Sequence, residues 1–409
     1  MIEKRTLDNG VRIVIEQIPT VRSVSLGIWI KTGSRNETPI NNGISHFIEH
    51  MMFKGTSKYS AKQIAEVFDG IGGQINALTS KEYTCYYAKV IDKYFDLALE
   101  VLADMFFNSK FDEADIDKER SVILEELYMY EDTPDDLVHD LIGRAGYGSH
   151  PLGYAIIGTR DVLEKINRDS IIDYINSNYA ANNTVITVAG NIDERVFERI
   201  ANLFNRLEGN QKEINVQSVI INPEKIVVNK KTEQAHICLA NKGYEVGNEN
   251  THALAIINNI LGGSMSSRLF QEIREERGLA YSVYSYHSAY LDNGMYVSYI
   301  GTSPKHVEQA LEVIDNVYKQ VYNSGITKEE LHKAKEQLKG MLMLSLESTT
   351  SRMNRLGKNE LLLNRQVDLD ETIEKVNEVT LEQANMVCKD VFAEKSAIAA
   401  IGPFDDIKY

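Results

Sequence analysis

The chain is poor in cysteine: Cys85, Cys238 and Cys388 are its three, far apart and without a CxxC pair. An odd count leaves one thiol over from any disulfide set, which argues against a stapled secreted scaffold and suits a reducing cytoplasm. Proline is scarce as well, seven in 409 residues, and no Pro-, Gly- or Ser-rich tract marks a low-complexity linker. No run of about 18 apolar residues occurs, so no membrane-spanning helix and no membrane partner are expected. The opening segment, residues 1–17, has no apolar signal core and is too acidic for a transit peptide; the expected location is the cytoplasm. Positive charge is also short, 44 Lys and Arg against 59 Asp and Glu, for a net charge of −15. Such a surface repels phosphate backbones, so no nucleic-acid partner is expected, whereas basic peptides would be attracted.

What remains is ordinary for a folded globular protein: 43% hydrophobic, 25% charged and 8% aromatic residues. At roughly 150 residues per domain the length predicts two or three domains. Residues 11–16 alternate after the turn Asp8-Asn9-Gly10, and residues 24–30 alternate again around Trp29, which predicts a hairpin in the stretch that ends at Thr32. Helical periodicity covers residues 43–52, 61–70, 94–107, 112–130, 159–179 and 194–207. Strand patterns cover 83–91, 184–189, 226–229 and 235–240. A polar stretch from Glu208 to Glu213 breaks the periodicity and places a boundary near 208–224, giving domains 1–215 and 216–409.

The two halves resemble each other. Asp96-Leu97-Ala98-Leu99-Glu100-Val101-Leu102 matches Glu308-Gln309-Ala310-Leu311-Glu312-Val313-Ile314 at an offset of 212, and residues 111–118 match 326–333 at an offset of 215. In each half the acidic helix follows an alternating strand, at residues 86–90 and 296–300. Matching order over this length predicts a duplicated α/β domain, so chemistry present in one half only is a graft on a shared fold.

That chemistry is concentrated at His46-Phe47-Ile48-Glu49-His50. On a helix, positions i and i+4 share a face, so two imidazoles can offer nitrogens to one ion. Glu49 is next to a ligand and can reach a metal-bound water without binding the metal itself. The order H-x-x-E-H is the inverzincin arrangement. A catalytic zinc takes a third protein ligand, here expected to be a carboxylate on another element. The acidic helix offers Glu119 and Glu126, seven apart and therefore about 20° apart on one face, while Glu125 points about 100° away, toward solvent. The remaining histidines, His139, His150, His236, His252, His287, His306 and His332, lack ligand spacing. Residues 146–158 have loop character.

At these residues the chain resembles the M16 family of metallopeptidases, in particular short bacterial members akin to mitochondrial processing peptidase. The likeness covers nearly the whole chain. The segment from His46 to Thr56 resembles the family's zinc helix. Glu126, on the later acidic helix, falls where the family has its third ligand, and Glu119 matches a glutamate that supports the site. Residues 72–80 resemble the segment whose edge pairs with an extended substrate, which implies Asn76, Ala77, Leu78 and Thr79 as substrate-binding residues. In the second half no H-x-x-E-H occurs. Gly262-Gly263 ends a helix without ligands, and Arg274 and Tyr281 resemble a family pair that holds the carbonyl under attack. A guanidinium and a phenol can both donate hydrogen bonds to an oxyanion.

The resemblance implies an α+β fold of two duplicated α/β domains, each a mostly antiparallel sheet covered by helices. It implies one Zn²⁺ per chain on His46, His50 and Glu126, with Glu49 as general base, and a peptide or an unfolded segment as substrate. Larger relatives join four such domains around a chamber. Two per chain therefore imply a homodimer with composite sites, in which Arg274 and Tyr281 come from the partner. Two rivals stand beside this reading: a non-catalytic peptide-binding scaffold on the same fold, and a metal-dependent hydrolase of small amides.

Overall fold

The computed structural model describes residues 2–209 and 219–409. The expected boundary at 215/216 lies outside the described residues. The chain forms two compact units. The first comprises Met1–Tyr128, Ala155–Asn215 and Ser345–Gln366, and the second comprises Met129–Tyr154, Val216–Leu344 and Val367–Tyr409. No helix among the described residues is long and apolar enough to cross a membrane.

In the first unit the strands are β1 (Ile2–Thr6), β2 (Arg12–Gln17), β3 (Ser23–Ile30), β4 (Gln74–Thr79), β5 (Thr84–Ile91) and β6 (Thr184–Gly190), in the order β1-β2-β6-β3-β5-β4. The turn at Asp8-Asn9-Gly10 does make a hairpin, but of β1 with β2. The expected partnership of β2 with β3 does not form, because β6 lies between them, parallel to β2 and antiparallel to β3. The reason is burial. All seven residues of β6 are buried, so it takes a central position with neighbours on both edges.

In the second unit β7 (Lys225–Asn229), β8 (Ala235–Lys242), β9 (Ala280–Ala289), β10 (Gly294–Thr302) and β11 (Ala397–Gly402) are ordered β7-β11-β8-β10-β9. Here β11 runs parallel to β7 and antiparallel to β8. Strand for strand this repeats β2-β6-β3-β5-β4, including the single parallel pair. The duplication read from the two acidic helices is thus present in the topology of both mixed sheets.

Helices α1 (Ile44–Met51), α2 (Ala61–Ile71), α3 (Phe95–Asn108) and α4 (Glu113–Glu131) follow the predicted spans closely. The single helix expected over 159–179 is two, Arg160–Leu163 and Arg168–Asn178. The Asn167 side chain accepts a hydrogen bond from the Ser170 N–H and starts the second helix.

Both sheets are apolar on both faces. In the first unit Leu26, Ile28 and Ile30 pack with Phe47, Ile48, Leu99 and Leu102, while the alternate residue Trp29 joins Val14 and Val185 on the other side. That second face is covered by Met353 and Leu356 of the helix Thr349–Lys358, a segment of the C-terminal half. Gly357 makes the approach possible, since a Cβ there would collide with the Trp29 ring. In the second unit the equivalent cover is α5 (Pro134–Tyr147), from the N-terminal half. Its Val138, Ile142 and Ala145 pack on Cys238, Ala240, Val297 and Ala399. Each unit is therefore completed by a helix from the other half of the sequence. Each large apolar side chain so buried contributes about 1.5–3 kcal/mol.

Candidate metal centre

Helix α1 buries Ile44, Phe47, Ile48 and Met51, the spacing of one helical face. His46, Glu49 and His50 are left on the opposite side, each half-buried. On α4, Ile116, Glu119, Ile123 and Leu127 form the buried stripe; Glu126 is half-buried beside it and Glu125 is exposed. These two helices bring His46, His50 and Glu126 together, with one donor atom from each within 4.8 Å of the others. Among the described residues this is the one His, Cys, Asp and Glu group with such spacing.

The Glu126 carboxylate lies between the two rings, 3.4 Å from His50 Nε2 and 3.8 Å from His46 Nε2. On the far side of His50, Nδ1 lies 2.8 Å from Glu119 Oε1. Glu119 is almost fully buried, and its other oxygen lies 2.5 Å from Lys54 Nζ. The Glu119 carboxylate therefore accepts a hydrogen bond from the Nδ1–H and leaves Nε2 turned toward Glu126. Such a carboxylate–histidine pair fixes the tautomer that a metal needs.

Electrostatics separate the two imidazoles. Burial, with His50 as a like-charge neighbour, lowers the His46 pKa to about 4, so this ring is neutral. Burial also works against charge on His50, but Glu119 and Glu126 outweigh it and raise the value to about 9. Glu126 is held below the usual carboxylate range, chiefly by its hydrogen bond with His50. Burial pushes Glu119 up, yet the bonds from His50 and Lys54 bring it below its usual range. The cluster thus holds one proton at neutral pH, on His50, where a cation would replace it. Donors around a tetrahedral zinc lie about 3.4 Å apart, and two imidazoles with one carboxylate are a donor set that zinc favours. The residues fit the ion.

Glu49 stands beside this cluster. Burial raises its carboxyl above the usual range, opposed by a hydrogen bond from the Thr79 hydroxyl. Thr79 is the last residue of β4, whose other neighbours Asn76, Ala77 and Leu78 lie along the same strand. β4 pairs with β5 on one side and ends the sheet on the other, so its outer edge is open among the described residues.

Arg274 and Tyr281 belong to the second unit. Arg274 lies in a turn of π-helix, Phe270–Glu275, with its guanidinium over the rings of Phe270 and Tyr281 at 4.8 and 4.6 Å. Its Nη1 donates to the Tyr281 carbonyl at 3.0 Å, while the Tyr281 side chain is 76% exposed at the start of β9. Sequence reasoning missed Phe270, Lys54 and the bond from Thr79 to Glu49. Lys54, four residues after His50 and just beyond the end of α1, lies close in sequence; the Thr79 bond joins segments distant in sequence and carried no signal.

Comparison with known proteins places the chain in a family. Residues 12–160 match the family described as insulinase (peptidase family M16), and residues 165–338 match the peptidase M16 inactive domain. A Bacillus subtilis protein named uncharacterized zinc protease YmxG is 54% identical over 98% of both chains. A Streptomyces coelicolor protein, also named an uncharacterized zinc protease, is 40% identical over 99% of this chain and 90% of its own. A Pseudomonas fluorescens structure titled peptidase M16 inactive domain superposes with a TM-score of 0.92 at 20% identity, covering 100% of this chain and 99% of that one. A Helicobacter pylori protease does so at 0.91 and 23%, covering 98% and 99%. At those identities the structures speak for the fold, and the near-full-length sequence matches speak for descent: this chain belongs to peptidase family M16.

Proposed function

We propose that this chain is a zinc metallopeptidase that cleaves peptides or unfolded segments, with one metal per chain. The observation that carries the reading is the convergence of His46, His50 and Glu126, with Glu49 beside them. His46 and His50 would hold the ion through Nε2 and Glu126 through its carboxylate, with Glu119 orienting His50 from behind. Zinc in such a set supplies Lewis acidity, which acidifies a water and polarises a carbonyl.

The chain's own groups do the rest. Glu49 takes a proton from the attacking water and returns it to the leaving amine. A raised pKa suits a group that must both accept and release that proton. Thr79 holds one Glu49 oxygen, leaving the other for the water. The open edge of β4, at Asn76, Ala77, Leu78 and Thr79, binds the substrate main chain as an added strand, so recognition does not depend on one side-chain sequence. Arg274 and Tyr281 of a second copy stabilise the oxyanion, in a homodimeric chamber that admits extended chains only. The stacked guanidinium and the exposed phenol are suited to that role. The net charge of −15 favours substrates that carry Arg or Lys.

Metal analysis and digestion of a quenched peptide test the proposal together. Zinc with cleavage supports it. Zinc with hydrolysis of small amides only, or neither metal nor cleavage, would overturn it in favour of the two rivals.

A further inference from the structure

Helix α1 is eight residues long, about 12 Å, too short to be stable alone. His46 is its third residue, in the first turn, where backbone N–H groups have no helical partner. A side-chain cap at the start would secure that turn, but none can be placed there. The N-cap position is Gly43, with φ +96°, and a Cβ on it would lie 2.6 Å from the Ile157 carbonyl oxygen. Ser, Asp or Asn is excluded at that position on both counts.

The cap comes from upstream in the chain. Glu37, 3% exposed, accepts from the Gly43 N–H at 2.7 Å and the Asn42 side-chain amide at 2.9 Å on one oxygen, and from the Ser45 N–H at 2.9 Å on the other. The segment bearing Glu37 is itself fixed. The N–H groups of Ser34 and Arg35 donate to the carbonyls of Ser80 and Lys81. Arg35 and Glu82 form a buried ion pair at 2.6 Å. The turn that follows β4 therefore holds the loop, and the loop holds the metal helix.

A second observation says which ligand depends on this. His50 has Glu119 on its Nδ1, whereas the buried Nδ1 of His46 has no hydrogen-bond partner among the described residues. The aim of the His46 ring thus rests on the backbone of the first turn. We infer that Glu37 is a positioning residue for the metal site: by capping α1 it sets the place of His46, and so the affinity for the ion.

The inference rests on the metal reading above, and its test separates the two. The full-length chain is titrated with Zn²⁺ alone against a chromophoric chelator. If the natural chain takes up no zinc, the metal reading fails. If it does, Glu37→Gln, which replaces one of the two accepting oxygens by an NH2 group that must face an N–H donor, should weaken binding about tenfold. Glu360→Gln serves as the control. That carboxylate is fully buried in the same unit but pairs with Lys4 and Arg12 on β1 and β2, at the other end of the sheet from β4. It should lower Tm and leave zinc affinity unchanged. Zinc affinity of Glu37→Gln within twofold of the natural chain, or an equal loss in Glu360→Gln, overturns the inference. Should Glu37→Gln not fold, Asn42→Ala, which removes one donor to the same carboxylate, must weaken zinc in the same direction, and an unchanged affinity overturns it.

Discussion

The two units share a five-strand order and differ in the side chains that their equivalent helices present. In the first, α1 leaves His46, Glu49 and His50 on a half-open face. In the second, the corresponding helix Thr251–Leu261 buries Ala253, Leu254, Ile256, Ile257, Ile260 and Leu261 and presents no ligand pair. On the acidic helices the offset of 215 sets Glu119 against Ala334 and Glu126 against Met341. Ala334 is buried and Met341 exposed, close to the environments of their counterparts but without the carboxylates. The scaffold therefore persists without the chemistry, and the chemistry needs few residues once the scaffold places them. The second unit instead carries Arg274, its guanidinium over the rings of Phe270 and Tyr281.

The sharpest way to test that division of labour is to disable one unit at a time. Glu49→Gln should lower peptide turnover by about 10²–10⁴-fold while zinc content stays at the natural level. Retained turnover would place the base elsewhere. Arg274→Ala should also be nearly inactive with full zinc. Mixing the two variants under subunit exchange should recover about a quarter of natural activity, because half the dimers are mixed and each has one intact site. No recovery after verified exchange would mean that the arginine serves its own chain.

A smaller effect concerns the proton that the metal must displace. At pH 7.5 His50, near 9, is protonated in the metal-free chain, while His46, near 4, and Glu126 are not. Zinc loading should then expel about one proton per chain, measurable by calorimetry in buffers of different ionisation enthalpy, and none well above pH 9. Because the His50 value is raised on folding, its contribution to metal-free stability is full below about 6.5 and is lost as pH rises through about 9. Glu119→Gln should reduce the proton release and weaken zinc about 10–100-fold. Smallest, and confined to the scaffold, is Gly357→Ala. Its Cβ meets the Trp29 ring, so the fold should lose about 1–3 kcal/mol in denaturant unfolding with no change in zinc affinity.

Much of the candidate site was legible because it is local. The i, i+4 histidines and the spacing of Glu119 and Glu126 are properties of single helices, and helical faces follow from sequence. The residues that tie helices to strands were not legible. Thr79 reaches Glu49 through tertiary contact, and Glu37 caps a helix whose own cap position is a glycine, so the usual Ser, Asp or Asn signal is missing. The fold divides in the same way. Strand and helix spans followed periodicity, but β6 between β2 and β3 depends on pairing between segments far apart in the chain. The cover of each sheet by a helix from the other half leaves no mark in local pattern. Asn167 is the exception, since its capping box with Ser170 was visible inside the helix read as continuous.

The central claim is that two imidazoles of α1 and one carboxylate of α4 hold a zinc ion. Anomalous diffraction at the zinc edge, on crystals of the Glu49→Gln chain grown with equimolar zinc, tests it most directly. One strong peak per chain is expected, about 2.0–2.2 Å from His46 Nε2, His50 Nε2 and a Glu126 oxygen. A peak on other residues, or none with the three side chains in place, would contradict it.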